Sequence, residues 1–309
     1  SPSFTAVPPT CVVSWRPTVQ SSAANTGQLS GKTVFVTGGS RGIGRAIALK
    51  LARDGANVAI AAKTVEKHPK LEGTIYSVAE EIEKAGGKAL PIQCNVLNEE
   101  DVTKAIEATA TKFGGLDILI NNASAISITG TEDLPMKKYD LMNNLNARGT
   151  FMTSKYAVPH LKKSSNGHIL TMSPPLLLDP KWLKDNTGYA IAKYGMSMCV
   201  LGMAEEFKGE IAVNALWPRT MIYTSAMNLL GGIETLGKHA RTPDILADAA
   251  YLILQRNKAT EKAGNFFIDE PFLREHGVTD FEEYAVKKGE QLAADIFIPD
   301  ELMEGLIGL

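Results

Sequence analysis

The sequence predicts an α/β fold in which a doubly wound parallel sheet carries helices on both faces. From residue 32 onward, short apolar runs alternate with amphipathic helical runs, a pattern typical of parallel strands that are covered on both sides. A glycine-rich turn joins the first apolar run to the first helix, as in Rossmann-type dinucleotide-binding sheets. No repeat or linker divides residues 28–270. We therefore predict a single domain over residues 28–309, with residues 270–309 as an irregular tail.

The predicted elements alternate along most of this domain. Strands are predicted at residues 33–36, 57–62, 88–94, 116–120, 167–172, 211–217 and 265–268. Helices are predicted from residue 43 onward and at residues 75–85, 99–113, 136–163, 189–208 and 243–256. Because crossovers between parallel strands are right-handed, few topologies remain. Ligands in such sheets bind outside the carboxyl ends of the strands, where each motif described below falls.

Residues 37–44, with the sequence Thr-Gly-Gly-Ser-Arg-Gly-Ile-Gly, form the glycine turn between the first strand and the first helix. Gly38, Gly42 and Gly44 allow a tight turn and a close approach of the backbone to a ligand. Free backbone N–H groups and the positive end of the helix dipole meet at this point. The glycine turn therefore predicts a site for the pyrophosphate of a dinucleotide.

Three other interpretations of the glycine turn remain open from these residues alone. Residues 38–42 also read G-x-S-x-G, the nucleophile elbow of serine hydrolases, with Ser40 as the nucleophile. Residues 39–45 nearly match a P-loop, but Arg45-Ala46 stands where Lys-Ser or Lys-Thr is required. The third interpretation is a structural turn without a ligand. The rest of the chain has to decide among them.

The end of the second predicted strand favours NADP(H) over NAD(H). An NAD site normally offers a carboxylate to the ribose 2′-hydroxyl here, whereas this strand ends in Ala-Ala-Lys63-Thr64. Arg41 lies in the glycine turn, so two cations are available for a 2′-phosphate. A solvated surface position for Lys63 is the alternative. Asn95 closes the third strand and is expected beside the adenine.

Tyr189 and Lys193 are four residues apart on a predicted helix and therefore lie on one face. A neighbouring ammonium lowers the pKa of a phenol from its ordinary value of about 10. The pair is then a general acid/base that protonates a carbonyl oxygen as hydride arrives at the carbon; it has no use in a serine hydrolase. Tyr284 and Lys288 share the spacing, which we interpret as a coincidence on the surface.

Four motifs occur in one order along the chain: residues 37–44, Asn121-Asn122-Ala123, Asn146 in Asn-Ala-Arg-Gly-Thr-Phe, and Tyr189-Ala-Ile-Ala-Lys193. Together they resemble the short-chain dehydrogenase/reductase family. The resemblance implies that Tyr189 is the proton donor, that Lys193 holds the nicotinamide ribose, and that Asn146 positions a water in a proton relay. The expected cofactor-binding residues are Gly38, Ser40, Arg41, Gly42, Ile43, Gly44, Lys63, Asn95, Asn122, Tyr189 and Lys193.

The sequence departs from the family pattern at three positions. The family's catalytic serine usually precedes the tyrosine by about thirteen residues, but the strand register puts Pro174 in its place. Ser173 is the nearest hydroxyl and is expected to replace it. Asn95 stands where the family has an aspartate near the adenine. Arg219 stands where the family has a glycine after the sixth strand. We expect it to place a cation near the nicotinamide.

These features predict an NADP(H)-dependent oxidoreductase that interconverts an alcohol and a ketone or aldehyde on an apolar, lipid-like or steroid-like substrate. Residues 176–178 (Leu-Leu-Leu) and Trp182 are candidates for an apolar pocket wall. The alternative is a reductase-fold subunit that binds the cofactor with little or no catalysis and serves an assembly or structural role. The displaced serine motivates that alternative.

Composition bounds the possible partners. The formal net charge is −2, so no bulk attraction to nucleic acid is expected. The three cysteines are far apart and the histidines form no ligand motif, so we predict neither a disulfide framework nor a metal site. No apolar run is long enough for a transmembrane helix. By likeness to the family we expect a homo-oligomer, or a subunit of a larger assembly.

The two ends of the chain differ from its centre. Residues 1–27 are rich in Ser, Thr and Pro and contain no Asp or Glu, which is typical of organelle targeting segments or of a disordered extension. We therefore predict a mitochondrial location, and the resemblance implies the peroxisome as the alternative. The tail, residues 270–309, carries scattered hydrophobic residues that are expected to wrap the surface or an oligomer partner: Phe272, Phe281, Tyr284 and Phe297.

Overall fold

The computed structural model describes residues 23–66, 73–224, 236–260, 262 and 264–308. In these residues seven parallel strands form one sheet in the order β3-β2-β1-β4-β5-β6-β7. The strands are β1 (Thr33–Thr37), β2 (Asn57–Ala62), β3 (Lys88–Gln93), β4 (Ile118–Asn121), β5 (Gly167–Thr171), β6 (Ile211–Trp217) and β7 (Phe266–Ile268). The strand order reverses between β1 and β4, which confirms the doubly wound sheet.

Helices connect the strands across both faces. They are α1 (Gly42–Arg53), α2 (Ile75–Lys84), α3 (Glu99–Phe113), α4 (Met136–Met142), α5 (Gly149–Leu161), α6 (Pro180–Leu183), α7 (Thr187–Glu206), α8 (Asp244–Leu254) and α9 (Asp269–Glu275). Local signals determine several ends. The Thr74 and Ser77 side chains form a capping box at the start of α2, and Gly114 ends α3 with a left-handed φ of 83°.

The core lies in two layers, one on each side of the sheet. Alternate residues of β1 point to opposite faces. Val34 and Val36 pack in the layer formed with α1, α2 and α8. Phe35 packs in the layer formed with α3, α5 and α7. Within the described residues no helix combines the length and the apolar character that crossing a bilayer requires.

The structure differs from the sequence prediction in the central helical region. The predicted helix at 136–163 is divided into α4, a π-helical segment (Asn143–Arg148) and α5. Short π segments occur within helices, frequently at functional sites, and no single-residue propensity marks them. The short helices α6 and α9 were not predicted, because four- and seven-residue helices carry little periodicity.

The tail contains α9 and two single turns of 3-10 helix, Glu282–Tyr284 and Asp300–Leu302. Its aromatic residues Phe272, Phe281, Tyr284 and Phe297 are buried against the domain. The surface interpretation of Tyr284 is therefore wrong: its hydroxyl donates to the Asp248 carboxylate at 2.7 Å, and the apolar ring is removed from water. At the other end, residues 1–22 of the predicted extension lie outside the described residues.

Candidate active site

Several positions of the glycine turn require glycine, because any larger side chain would strain the backbone or clash with a neighbouring atom. Gly38 and Gly42 have left-handed φ values of 65° and 54°, which glycine adopts without steric cost. A Cβ on Gly44 would lie 2.5 Å from Asn122 Nδ2 and 2.7 Å from the Gly38 carbonyl oxygen. Asn122 Nδ2 in turn donates to the carbonyls of Thr37 at 3.0 Å and Gly38 at 3.2 Å. Asn122 therefore supports the turn from beneath.

The N-terminus of α1 has the features of an anion site. Arg41 stands at its N-cap position, and no side chain caps the helix among the described residues. Its first-turn amides point outward beside the positive end of the helix dipole. A Cβ on Gly38 would lie 3.0 Å from Ala123 Cα, so the cradle exists only because glycine is present. These residues fit the pyrophosphate of a dinucleotide.

The two predicted cations lie at the end of β2. Arg41 extends from the glycine turn and its guanidinium donates to Thr64 Oγ1 at 3.0 Å, next to the exposed Lys63. Asn95 is half-buried, and its side-chain oxygen accepts from Leu97 N at 3.2 Å. The oxygen expected to face the adenine is thus engaged in its own turn. The structure brings Arg41 and Lys63 to neighbouring positions.

Asn121 and Asn146 both have their side chains satisfied within the protein. Asn121 bonds Thr153 and Ser154 on α5, which is a structural arrangement. Asn146 lies in the π-helical segment, and its amide group bonds the backbone N and O of Ala125 at 2.8 and 2.9 Å. Its side chain is therefore occupied, and only its main chain is left for a relay water.

Helix α7 holds the segment after β5 through three donors on one face. Lys193 Nζ donates to the Met172 carbonyl at 2.9 Å, Tyr194 Oη to Leu177 at 2.7 Å, and Ser197 Oγ to Pro174 at 2.7 Å. Each donor satisfies a carbonyl of an irregular segment that has no strand partner there. Lys193 is thus fixed at the carboxyl end of β5.

Ser173 follows directly after the carbonyl that Lys193 binds. The residue is fully buried, and its hydroxyl has no hydrogen-bond partner among the described residues. A buried hydroxyl without a partner is costly and often marks a place that a ligand completes. Pro174, at the usual serine position, offers no donor. The structure therefore brings Ser173 into the neighbourhood of Lys193, and its role in place of the usual serine stays a prediction.

Tyr189 and Lys193 are enclosed, with 4% and 3% of their surfaces exposed. Burial, together with the Asp295 carboxylate, raises the pKa of Tyr189 above its ordinary value of 10. Burial lowers the pKa of Lys193 to about 7, against the attraction of Asp295. The predicted lowering of the phenol pKa is therefore wrong, because removal of the ring from water disfavours the phenolate and the Asp295 carboxylate adds to that effect.

Four residues around this pair were not identified from the sequence as part of the site. Tyr189 shares an apolar cluster with Tyr194, Trp217 and Phe297, and Asp295 acts on the pKa values of both Tyr189 and Lys193. Trp217 is the last residue of β6, a position where ligands bind in such sheets, so a signal for it existed. Phe297 and Asp295 belong to the tail and carried no such signal.

Arg219 does not present a free cation to the site. Its guanidinium donates to Glu270 at 2.9 Å and to the carbonyls of Leu302 and Glu304, both at 2.8 Å. The expected cation is therefore paired within the protein, and its place near the nicotinamide stays a prediction. A buried carboxylate and two carbonyls of the tail are strong acceptors for a guanidinium. They bind Nη1, Nε and Nη2 of Arg219, respectively.

Comparison with known proteins shows which proteins this chain is similar to. Residues 32–230 match the family model described as short chain dehydrogenase. Hydroxysteroid dehydrogenase-like protein 2 from Mus musculus is 60% identical over 283 residues, which cover 91% of this chain and 57% of that protein. The corresponding Xenopus tropicalis protein is also 60% identical, with 91% and 67% covered. The chain thus spans between about half and two thirds of the length of these relatives.

Solved structures agree with the sequence comparison. A putative dehydrogenase from Xanthomonas campestris is 50% identical with a TM-score of 0.84, covering 88% of this chain and 99% of that one. A metagenomic short-chain oxidoreductase solved with NADP is 25% identical with a TM-score of 0.63, covering 78% and 97%. The glycine turn is thereby better explained as a dinucleotide turn than as a hydrolase elbow. The chain belongs to the short-chain dehydrogenase family of oxidoreductases.

Proposed function

We propose that the protein is an NADP(H)-dependent oxidoreductase that interconverts an alcohol and a ketone or aldehyde on an apolar, lipid-like or steroid-like substrate. One observation carries the proposal: α7 holds Lys193 on the Met172 carbonyl, beside the unpartnered hydroxyl of Ser173 and one helical turn after Tyr189. The ammonium and the free hydroxyl thus lie at neighbouring positions at the carboxyl end of β5, and the phenol precedes the ammonium by one turn of α7. That is a complete set of groups for moving one proton at a carbonyl oxygen.

The proposed cofactor is NADP(H). The family binds NAD or NADP, and one structural relative carries NADP. Gly38, Gly42 and Gly44 would hold the pyrophosphate with the first amides of α1. Arg41 and Lys63 would bind the 2′-phosphate, where no carboxylate of β2 competes. When bound, NADP(H) supplies or accepts the hydride at the substrate carbon.

The chain's own residues supply the proton. In the reductive direction Tyr189 Oη donates its proton to the carbonyl oxygen, and in the oxidative direction it takes the proton back. Lys193 stabilises the phenolate left on Tyr189, because a cation within a few ångströms favours the charged form. Ser173 Oγ donates a hydrogen bond to the same oxygen and polarises the carbonyl. The main chain of Asn146 would hold a water that returns the proton from solvent.

The surroundings of Tyr189 support an apolar substrate. Leu176 and Trp182 pack against the cluster that contains Tyr189, while Leu178 is 77% exposed on the same loop. The named relatives are hydroxysteroid dehydrogenase-like proteins, which agrees with such a substrate. We also propose a homo-oligomer formed through α5 and α7, whose outer faces expose Phe151 and Met198. The mitochondrial or peroxisomal location stays a prediction.

A second candidate function is a cofactor-binding subunit with little or no catalysis. Pro174 at the usual serine position favours it, as does the burial of Tyr189. In that case the purified protein would bind NADPH tightly and turn over no member of a broad panel of aliphatic, alicyclic and steroidal carbonyls. Turnover of any panel member that is lost with Tyr189 would exclude this candidate.

Substitution Tyr189→Phe tests the catalytic proposal. It removes one oxygen, so turnover of the best panel substrate should fall by about 10²–10⁴-fold, while NADPH affinity stays within a few-fold. Tyr284→Phe is the matched control, since Tyr284 has the same spacing to a lysine but bonds Asp248; it should lower stability by about 1 kcal/mol and leave turnover unchanged. Full activity in Tyr189→Phe would show that another group donates the proton.

A further inference from the structure

Trp217 ends β6 with its side chain on the face of the sheet that α7 covers. Alternate residues of a strand point to opposite faces. Val213 and Ala215 pack in the layer formed with α3, α5 and α7, so Trp217 points to the same face, where it joins the cluster that contains Tyr189. The side chain is buried, with 6% of the residue's surface exposed. The end of β6 therefore presents a large aromatic ring to α7.

The Lys193 ammonium lies over that ring. Its Nζ atom is 5.2 Å from the centroid of the Trp217 ring, within the distance of about 6 Å at which the face of an indole attracts a cation. The same Nζ donates to the carbonyl of Met172, which follows the neighbouring strand β5, at 2.9 Å. That bond uses one of the three N–H groups of an ammonium. Among the described contacts, two N–H groups therefore stay available to a bound ligand.

The indole is held in this orientation by contacts of its own. Its N–H donates to the Ile296 carbonyl at 2.8 Å. The Phe297 ring packs against it, with the centroids 6.3 Å apart and the planes inclined at 50°. Rotation of the Trp217 ring would break the hydrogen bond and this packing. The ring is thus fixed with its face toward Lys193.

A charged Lys193 needs such a partner because it is removed from water. Only 3% of its surface is exposed, and burial lowers its pKa to about 7, against the attraction of Asp295. Tyr189 lies one turn earlier on α7, and its raised pKa keeps it neutral. The Trp217 ring face attracts the ammonium without titrating itself, and the attraction is strongest where water is excluded.

We propose that Trp217 is a positioning residue of the active site, whose ring face holds the charged Lys193 ammonium at the end of β5. This inference rests on the proposed function for the task of the ammonium, which is to stabilise the Tyr189 phenolate. A ring suits that task better than a carboxylate does, because it attracts the cation without adding a negative charge that opposes the phenolate. Without the ring, Lys193 should lose its charge at a lower pH.

The pKa of Lys193 tests the contact without any turnover. Protein made with lysine that carries ¹³C at Cε reports the charge of each lysine by NMR, and the Lys193 signal is the one missing from Lys193→Arg. Tryptophan is replaced during expression by its mono-, di- and trifluorinated analogues. Fluorine withdraws electrons from the ring face and hardly changes the size of the ring, so the fold is kept while the attraction for a cation is weakened.

The pKa of Lys193 should fall stepwise along this series, by roughly one pH unit in the trifluorinated protein. Fluorination makes the indole N–H a better donor to the Ile296 carbonyl, so a loosened hydrogen bond would not account for the fall. If Trp217 only fills space, the pKa of Lys193 will be the same in all four proteins. That result would overturn the proposal.

The same series in Trp217→Phe is the matched control. Fluorine then enters only Trp15 and Trp182, and the pKa of Lys193 should show no trend; a trend in the control would contradict the proposal. Lys181 is an internal reference, since its Nζ lies 5.1 Å from the centroid of the Trp182 ring but its side chain is 46% exposed. Water weakens such a contact, so an equal shift at Lys181 would also count against a specific role for Trp217.

The pH profile of kcat/KM connects the contact to the reaction. For the best panel substrate, the loss of activity at high pH, where Lys193 becomes neutral, should move to lower pH by the same steps as the pKa. A shifted pKa with an unmoved profile would contradict a positioning role. If the pKa responds but no panel carbonyl is turned over, the reductase proposal fails and the contact stands. If carbonyls are turned over and neither quantity responds, the reductase proposal stands and this inference fails.

Discussion

The glycine turn and the Tyr189–Lys193 pair lie at the same edge of the sheet but are prepared for ligand in opposite ways. The turn is half-buried, no described side chain caps the helix that follows it, and the Asn122 amide supports its carbonyls. The catalytic pair is enclosed, and its lysine already donates to a carbonyl. The first region is preorganised by its own backbone, while the second is closed by residues from the far end of the chain. The comparison teaches that two regions at one edge of a sheet can differ widely in exposure, because one depends on local backbone conformation and the other on packing with distant residues.

The largest expected effect concerns Glu270, whose ion pairs join the tail to Arg219 and Arg241. Glu270 is buried and accepts from Arg219 at 2.9 Å, Arg241 at 2.6 Å and Arg274 at 2.7 Å. Burial opposes its charge, yet these arginines hold its pKa at about 2. Glu270→Gln leaves buried guanidinium groups without their carboxylate and should cost about 3–5 kcal/mol of unfolding free energy, measured by urea denaturation.

Glu210→Gln is the matched control for that substitution. Glu210 pairs with Lys162 at 3.1 Å on the surface, where such pairs contribute about 0–1 kcal/mol. An equal loss of stability in both variants would mean that the Glu270 cluster does not anchor the tail.

The next effect tests the open region. A Cβ at Gly44 would meet Asn122 and the Gly38 carbonyl, so Gly44→Ala has to displace the turn. Affinity for NADPH and for adenosine 2′,5′-diphosphate should both fall on the order of 10²-fold, the equivalent of two charge-assisted hydrogen bonds, as measured by calorimetry. Gly202→Ala, at an exposed position of α7 with open space around it, should leave binding unchanged and stabilise by about 1 kcal/mol.

A smaller effect sharpens the choice of cofactor within the open region. Removing both cations in Arg41→Ala/Lys63→Ala should weaken NADPH binding by about 10–10²-fold, because charge-assisted bonds to the 2′-phosphate are lost. NADH binding should change little, since NADH lacks that phosphate. Arg45→Ala serves as the control, because Arg45 also lies on α1 but forms an ion pair with Glu81 of α2. Equal losses for NADH and NADPH would argue against a 2′-phosphate site.

The smallest effect is a pH dependence of the closed region. Burial, with Asp269 adding to it, raises the pKa of Asp295 to about 8, against the Ile296 amide and Lys193. A raised pKa means that the folded contacts around Asp295 are most stable at low pH and that this stabilisation is lost as pH rises toward 8. Between pH 5 and 7, exchange at the Asp295 amide, corrected for its intrinsic rate, should increase by up to about tenfold per pH unit.

Two neighbouring groups, Asp269 and Lys193, also titrate around this position. Burial raises the pKa of Asp269 to about 6. Burial lowers the pKa of Lys193 to about 7, so the cost of burying its charge is relieved only as pH rises above that value. Tyr189, whose pKa is raised, stays neutral throughout. Asp295→Asn keeps the acceptor for the Ile296 amide and should flatten most of the dependence. An unchanged profile in that variant would assign the effect to Asp269.

Much of the fold was predictable because it depends on local patterns. The apolar runs of β2 and β6 were predicted at their observed bounds, as was α3, which starts at an asparagine cap and ends at a glycine. The glycine turn was predictable for the same reason, since positive φ values and close packing require glycine. The π-helical segment, α6 and α9 were not, because neither periodicity nor capping marks elements so short or irregular.

The candidate site likewise contains residues that local sequence patterns identify and residues whose environment depends on distant parts of the chain. Tyr189, Lys193, Ser173 and the glycine turn were identified from residue types and spacing, and the structure brings Lys193 and Ser173 together at the end of β5. The fate of Arg219 was not predictable, because its partners Glu270, Leu302 and Glu304 are distant in sequence. The protonation of the catalytic pair was mispredicted for the same reason.

The sequence by itself determined the alternation of strands and helices, the glycine turn and the i, i+4 spacing of Tyr189 and Lys193, because each depends on the conformational preferences of a few consecutive residues. Only the tertiary structure decided that Phe297 and Asp295 lie against that pair. Burial and pKa depend on every group within several ångströms, whatever its distance along the chain. The residues that would perform the chemistry could therefore be read from the sequence, and their accessibility could not.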